Sequence, residues 1–103
     1  MSHRFGELWT VQFGDRDEVR LVVSGDFYHT LYGDNVLTAH VEAADMAHAL
    51  TAFVVDVGEG RAAMVDRIST VAAVRLKSKV GDLPDEQLAA VRGMIATIFG
   101  TGG

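Results

Sequence analysis

The sequence contains no cysteine, a single proline and no long apolar run, and each of these absences excludes a class of protein. Without cysteine there are no disulfide bonds, no zinc sites built from thiolates and no cysteine nucleophile. No apolar stretch approaches the roughly 20 residues that a membrane-spanning helix requires. The N-terminal residues lead directly into sequence typical of a folded domain, without a signal-peptide pattern, so we expect a soluble protein located in the cytoplasm.

The chain is short, with 103 residues, of which 49% are hydrophobic and 22% are charged. This length is that of one domain, and the composition is typical of a folded globular protein. We therefore expect a single domain over residues 1–103. Its core is modest in size, so a partner subunit would help to bury apolar surface.

Positive charge is scarce, because nine lysines and arginines stand against fourteen acids, a formal net charge of −5. Such a balance argues against binding to nucleic acid through the overall field of the molecule. Residues 61–79 differ, because five basic residues stand there against Asp66 alone, a local net charge of +4. This segment is either an ordinary solvated face or a local phosphate-binding strip, and composition does not distinguish the two.

Alternating apolar and polar residues predict a chain composed mainly of short β-strands. Strands are expected at residues 6–13, 19–24, 35–42, 52–57 and 61–73, with a further strand within 74–80. Residues 14–18 are expected to form a polar turn, and residues 26–34 a loop or one helical turn. Residues 43–50 are ambiguous, with a short helical turn as one option. Gly58-Glu59-Gly60 predicts a hairpin turn, and the long strand after it is expected to bend near Ser69.

The C-terminal segment has the clearest pattern. Pro84 is suited to the first turn of a helix, and Gly100 is suited to its end. Between them, apolar residues recur at helical spacing: Leu88, Val91, Ile95, Ile98 and Phe99. The fold class is therefore mainly β, a strongly bent, barrel-like antiparallel sheet of five to six strands with a C-terminal helix.

Several motifs occur in the order that is typical of one toxin family. Residues 65–71 (VDRISTV) and residues 81–91 (GDLPDEQLAAV) resemble the C-terminal half of MazF/PemK-type toxins. Upstream, residues 6–9, 20–24 and 26–28 resemble the opening strands of the same family. The resemblance extends over residues 6–99 and implies the SH3-like antiparallel barrel with a C-terminal helix that is called CcdB/PemK-like.

Such toxins belong to type II toxin–antitoxin systems. The resemblance implies a homodimeric endoribonuclease that cleaves single-stranded RNA without a metal or another cofactor. It also implies a cognate antitoxin peptide that lies across the dimer groove. Residue by residue, Arg20 matches the active-site arginine of the family, Asp66 matches the acid that opens an Asp-Gln motif, and Thr70 matches the threonine that closes it.

The sequence departs from the family pattern at three places. The loop between the first two strands, residues 14–18, is short, and Leu21 follows Arg20 where the family has proline. Glu42 stands near the position of the active-site serine or threonine of the family. Each departure is consistent with an altered choice of substrate or with lost catalysis.

Metal-free RNA cleavage uses the 2′-hydroxyl as nucleophile, and it needs a base, an acid and a fixed cation for the charged phosphorane. Arg20 suits the role of the cation because a planar guanidinium can bind two phosphate oxygens. The alternative is an exposed strand arginine that is paired with Asp17 or Glu18. His40 is the candidate for proton transfer, and Glu42 on the same strand face could orient its ring or raise its pKa. The alternative is a surface histidine on an amphipathic strand.

The candidate catalytic residues are Arg20, His40, Glu42 and Asp66. The candidate RNA-binding residues are Ser24, Tyr28, Thr38, Arg67, Thr70, Lys77 and Lys79. The histidines lack metal-ligand spacing and the acids are scattered, so no metal site is expected. His3 is expected to be disordered. Four aromatic residues are assigned to the core or to a dimer interface: Trp9, Phe13, Phe53 and Phe99.

Two non-enzymatic functions remain as alternatives. One is a CcdB-like poison of DNA gyrase, suggested by the short first loop and by the C-terminal Phe99-Gly100-Thr101. The other is a catalytically silent barrel that only binds an antitoxin peptide, suggested by Glu42 and by the net charge of −5.

Overall fold

The computed structural model describes residues 3–100 and shows a curled six-stranded antiparallel sheet with a C-terminal helix. Along the chain the elements are β1 (Glu7–Phe13), β2 (Arg16–Val22), α1 (Asp26–Leu31), β3 (Asn35–Ala43), α2 (Ala44–Leu50), β4 (Val54–Gly58), β5 (Arg61–Ala72), β6 (Leu76–Asp82) and α3 (Asp85–Phe99). A single turn of 3-10 helix, Ala73–Arg75, joins β5 to β6. The order of the strands across the sheet is β4-β5-β3-β2-β1-β6, and the predicted fold class is confirmed.

The predicted boundaries are wrong mainly in the first hairpin. β2 begins at Arg16 and not at Val19, because the chain reverses in a tight turn in which Gly14 has a φ of +65°. The ambiguous residues 43–50 form the helix α2, and residues 76–82 form a sixth strand. Both of these elements were open in the prediction.

The C-terminal helix is confirmed as predicted. α3 ends at Gly100, which has a φ of +74° in the left-handed region that glycine adopts without strain. Its buried Val91 packs with Leu8 and Leu21 of the sheet. Phe99, however, is 64% exposed and takes no part in the core of the chain. None of the helices within residues 3–100 has both the length and the apolar composition of a membrane-spanning helix.

The alternation of side chains gives the sheet a second apolar face, opposite to the one that packs against α3. Its buried members are Trp9, Val11, Val22, Val36, Val71 and Leu76. Arg20 is the cross-strand partner of both Trp9 and His40, so these three side chains lie on this same face. The second face therefore carries Arg20 and His40, two of the predicted catalytic residues.

The pairing of β5 with β3 is irregular at one place. The register with β3 jumps between Ile68 and Met64, so residues 65–67 have no partner on that strand. One of their N–H groups donates instead to the carbonyl of Phe53, at 2.8 Å. The irregularity of β5 therefore lies immediately before Ile68, and the bend near Ser69-Thr70 stays a prediction.

The N-terminal segment is held against the second face, so the prediction that His3 is disordered is wrong. His3 is buried, with 5% of its surface exposed, and its ring meets the Trp9 ring edge-on at a centroid distance of 4.6 Å. The N–H of Gly6 donates to the carbonyl of Val22 at 2.9 Å. Buried Glu7 accepts a hydrogen bond of 2.9 Å from the Trp9 Nε1.

Candidate active site

Arg20 is a buried cation near the middle of the second face, with 5% of its surface exposed. Its Nε and Nη2 both donate to Glu18 Oε1, at 3.3 and 3.1 Å, and its Nη1 donates to Thr38 Oγ1 at 3.3 Å. The ring of Phe13 lies 4.8 Å from the guanidinium carbon. Pairing with Glu18 is confirmed, but the expected exposure is wrong. A cation at this depth needs such partners to offset the loss of hydration.

Ser69 connects Arg20 to His40. Its Oγ lies 2.9 Å from His40 Nε2 and 3.5 Å from Arg20 Nη1. A guanidinium can only donate, so Ser69 accepts from Arg20 and its own hydroxyl proton is free to be donated to His40. In that arrangement His40 Nε2 is an acceptor, and the proton of the neutral ring is on Nδ1. Ser69 was not among the predicted site residues.

His40 has a lowered pKa, which corrects the expectation that a carboxylate raises it. Burial lowers the pKa of His40 most, and the positive charge of Arg20 lowers it further. The negative charges of Glu18 and Glu42 act in the opposite direction, but their effect is smaller. The imidazole is therefore neutral at neutral pH and able to accept a proton.

A concavity of about 390 Å³ opens beside His40, and the predicted residues Glu42, Asp66 and Arg67 are in its lining. Neither carboxylate is hydrogen-bonded to His40. Asp66 is exposed and accepts a hydrogen bond of 2.8 Å from the Thr51 hydroxyl. The four predicted catalytic residues therefore divide into a contiguous pair, buried Arg20 and half-buried His40, and two acids on the wall of the concavity beside His40. Within residues 3–100, no three histidine or acidic side chains come close enough together to hold a metal ion.

Two predicted RNA-binding residues have structural roles instead. Ser24 is 3% exposed, and its hydroxyl lies 2.6 Å from His29 Nε2 while accepting from the N–H of Leu37 at 3.1 Å. These contacts attach α1 to β3. Thr38 is fully buried, and its hydroxyl accepts from Arg20. Both hydroxyls are therefore buried and hydrogen-bonded within the chain, where Ser24 joins α1 to β3 and Thr38 holds Arg20.

Tyr28 and Thr70, two further predicted RNA-binding residues, form no hydrogen bond with Arg20, Ser69 or His40 within the described part of the chain. Tyr28, on α1, is half-buried, and its ring packs against that of Tyr32 at a centroid distance of 5.1 Å. Thr70 is exposed, and the alternation of β5 directs it to the face opposite Ser69. It does not join the Arg20 cluster.

The basic residues of 61–79 do not form one continuous strip. Lys77 and Lys79 lie on the edge strand β6, and three strands separate β6 from Arg67 on β5. Lys77 Nζ lies 3.4 Å from an oxygen of Asp17, and Lys79 Nζ lies 3.1 Å from Glu7 and 3.0 Å from Asp82. Hydrogen bonds to Asp82 and Glu7 raise the pKa of Lys79. Of the two interpretations of residues 61–79, a continuous phosphate strip is therefore not what the structure shows, because three strands separate the lysines of β6 from Arg67.

Comparison with known proteins assigns the chain to a family. A family model for PemK-like, MazF-like toxins of type II toxin–antitoxin systems matches residues 4–99. The chain belongs to this toxin family. The match confirms the resemblance and favours a PemK/MazF-like toxin over the CcdB-like alternative. The motif Phe99-Gly100-Thr101, which suggested that alternative, ends outside the described residues.

Solved structures share the PemK/MazF fold at low sequence identity. A MazE–MazF complex from Deinococcus radiodurans is 21% identical, with a TM-score of 0.76 over 97% of this chain and 98% of that chain. An endoribonuclease in complex with its cognate antitoxin, from a mycobacterial species, is 16% identical, with a TM-score of 0.76 over 95% and 93%. The Mycobacterium tuberculosis toxin MazF-mt6 is 16% identical, with a TM-score of 0.70 over 91% and 96%. At these identities the likeness establishes the fold alone, and no curated protein matches the sequence.

The departures from the PemK/MazF pattern now have positions in the structure. The short first loop is the tight turn between β1 and β2. Leu21, in place of proline, is fully buried between β1 and β3. Glu42 is exposed near the end of β3, two residues beyond His40. The polar group nearest to Arg20 on β5 is the hydroxyl of Ser69.

Proposed function

We propose that this toxin is a metal-independent endoribonuclease that cleaves single-stranded RNA, with Arg20 and His40 as its catalytic residues. The observation that supports it is the chain of contacts from buried Arg20 through Ser69 to a neutral His40. A fixed cation for the phosphorane and a neutral imidazole as base are two of the functions that cleavage through the 2′-hydroxyl requires. The solved mycobacterial and deinococcal neighbours, whose names are those of endoribonucleases and of MazE–MazF complexes, support the same class of reaction.

In the proposed reaction, the 2′-hydroxyl replaces the Ser69 hydroxyl as the donor to His40 Nε2, which takes its proton as the 2′-oxygen attacks phosphorus. The new bond is P–O2′ and the broken bond is P–O5′, so the products have a 2′,3′-cyclic phosphate and a 5′-hydroxyl. Arg20 donates to the phosphorane oxygens and stabilises their charge. The imidazolium that forms stands beside a like charge, so it readily returns its proton to the departing 5′-oxygen. Glu42 and Asp66 form the wall along which the RNA lies.

We also propose that the toxin acts as a homodimer and is neutralised by an antitoxin peptide. Antitoxin complexes among the solved neighbours support the second partner. Exposed apolar side chains support the homodimer, because they would be buried in its interface. Val74 is 92% exposed and Val80 is 54% exposed.

One observation favours a second candidate function, a silent barrel that binds an antitoxin without cleaving RNA. Two of the guanidinium nitrogens of Arg20 already donate to Glu18. An RNA phosphate has to compete with this carboxylate, whereas binding of a peptide elsewhere on the surface does not require Arg20.

The test is cleavage of a long single-stranded RNA by the purified protein in the presence of EDTA. We expect cleavage by the wild type, with a rate that falls about 10²- to 10³-fold in Arg20→Gln and about 10²- to 10⁴-fold in His40→Ala. Arg16→Gln is the matched control, because Arg16 also pairs with Glu18, at 2.8 Å, but is exposed. Intact RNA after incubation with folded wild type would contradict the enzyme and favour the silent barrel. Cleavage that survives both substitutions would contradict the site.

A further inference from the structure

Glu18 occupies the edge of the Arg20 guanidinium that a phosphate of RNA would need. At one end of the group, Nη1 donates to Thr38 Oγ1 at 3.3 Å and to Ser69 Oγ at 3.5 Å. The remaining edge, formed by Nε and Nη2, donates to Glu18 Oε1 at 3.3 and 3.1 Å. Carboxylates and phosphates both accept from this edge of a guanidinium, so the carboxylate of Glu18 stands where a phosphate oxygen would bind.

The exposure of the two side chains shows which of them has to move. Only 7% of the Arg20 side chain is exposed, and the ring of Phe13 lies 4.8 Å from its guanidinium carbon. The side chain of Glu18 is 31% exposed, so it is the member of the pair that meets solvent. A phosphate therefore gains the Nε and Nη2 edge by taking the place of the Glu18 carboxylate.

There is room beside Glu18 for the displaced carboxylate. The pairing of β2 with β3 runs from Val22 and Thr38 to Arg20 and His40, and it ends there. Beyond that pair a concavity of about 600 Å³ lies between residues 16–19 of β2 and residues 41–43 of β3, and Glu18 is in its lining. The Glu18 side chain can enter this space by a change of rotamer, without any change in the sheet.

The charges around this concavity allow the carboxylate to move. Glu18 Oε2 lies 2.8 Å from Arg16, but this arginine is exposed, and exposed ion pairs contribute little. Arg61 lies in the lining, is exposed and forms no ion pair within residues 3–100, so it is available to a carboxylate that turns toward it. Glu42 and Glu59 in the same lining act against the movement, which keeps Glu18 on Arg20 in the free protein.

We infer that Glu18 is an internal competitor of RNA at Arg20. In the free toxin its carboxylate closes the phosphate site, and it turns into the concavity between β2 and β3 when a phosphate binds. The inference rests on the proposed endoribonuclease function, and it assigns that function a regulation within the chain.

Binding of single-stranded DNA tests the competition independently of cleavage, because DNA has the phosphates of RNA but lacks the 2′-hydroxyl nucleophile. In Glu18→Gln the neutral amide should yield to a phosphate more readily, since hydrogen bonds to a charged acceptor are about twice as strong. We expect the dissociation constant for a mixed-sequence oligonucleotide at fixed salt to fall about tenfold or more, because minor states are populated at about 0.1–10%. Glu18→Ala should also bind more tightly than the wild type, whereas a residue that only positions Arg20 would weaken binding when it is removed.

The matched control is Asp17→Asn, which makes the same change of charge at the neighbouring residue. Asp17 pairs with Lys77 and not with Arg20, so its dissociation constant should stay close to that of the wild type. The double variant Glu18→Gln/Arg20→Gln measures the coupling, and the gain from Glu18→Gln should disappear when Arg20 is absent. In the wild type, the NMR signal of the Glu18 carboxyl carbon should shift on saturation with the oligonucleotide, while that of Asp45 on α2 stays in place.

Three outcomes would overturn the inference. They are equal or absent binding in Glu18→Gln and wild type, weaker binding by folded Glu18→Ala, or the same gain with and without Arg20. A toxin that leaves RNA intact, but whose Glu18→Gln variant binds DNA more tightly, would contradict the proposed cleavage and support the competition. RNA cleavage by the wild type, with an unchanged affinity for DNA in Glu18→Gln, would contradict the competition alone.

Discussion

At the scale of single residues, the protonation of His40 decides whether the proposed reaction is possible. The neutral ring accepts the proton of the 2′-hydroxyl, and the charged ring does not. Because burial and Arg20 lower the pKa of His40 below its ordinary value of 6.5, the neutral form persists into acid solution. The rate of cleavage should therefore rise with pH through that lowered pKa and level off at a lower pH than it would for a histidine of ordinary pKa.

Replacing Arg20 with glutamine should raise the pKa of His40. The substitution removes the like charge that disfavours the imidazolium, while burial and the carboxylates remain. Titration of the His40 ring protons by NMR measures the shift directly. Arg16→Gln is the control and should leave the titration as in the wild type, because Arg16 is exposed. An identical midpoint in Arg20→Gln and wild type would show that Arg20 does not act on His40.

At the scale of secondary structure, the N-terminal segment depends on one glycine. Gly6 has a φ of +90°, and a Cβ at this position would overlap the side chain of Leu88 on α3. The segment before β1 therefore runs from His3, which packs on Trp9, to Gly6, where it passes close to α3.

Gly6→Ala should lower the free energy of unfolding by about 1–3 kcal/mol, through backbone strain together with the contact at Leu88. Chemical denaturation measures the change. The matched control is Gly93→Ala in α3, where an added Cβ meets no atom within 4 Å. In a helix this exchange should stabilise the protein by up to about 1 kcal/mol. Equal effects of the two substitutions would contradict the close approach of the N-terminal segment to α3.

At the scale of the whole molecule, a net charge of −5 gives RNA no general attraction, so binding depends on individual cations. Whether a cation is available for RNA depends on whether it already forms an ion pair with an acidic side chain. Lys77 is held by Asp17, whereas Arg67 is exposed and lines the concavity beside His40. Of these two residues, only Arg67 is positioned to contact a phosphate of RNA bound at Arg20.

Arg67→Gln should weaken RNA binding at every sequence and reduce the slope of log affinity against log salt by about 0.7, the value for one single-strand phosphate contact. Lys77→Gln is the control with the same change of charge, and its slope should match that of the wild type. Salt titrations of oligonucleotide binding compare the two. A reduced slope in Lys77→Gln alone would restore the phosphate strip that the pairing of the lysines argues against.

Most of the fold could be predicted from the sequence, because it depends on local patterns. Period-two alternation located the strands, the stripe from Leu88 to Ile98 located α3, and Gly58-Glu59-Gly60 located the hairpin between β4 and β5. The errors occur where tertiary packing overrides local preference. The first turn is tighter than its polar composition suggested, and His3 is buried although it is the third residue of the chain.

The sequence by itself determined the toxin family and most of the element types, and it suggested Arg20 and His40 as site residues, since motif order and side-chain chemistry are properties of the chain. Only the tertiary structure decided what surrounds them. Ser69 is 29 residues from His40 and 49 from Arg20, and it meets both because β3 lies between β2 and β5. The lowered pKa of His40, the pairing of Lys77 and the burial of His3 depend likewise on neighbours distant in sequence. No local pattern encodes them, because hydration and charge are set by which strands and segments the fold brings together.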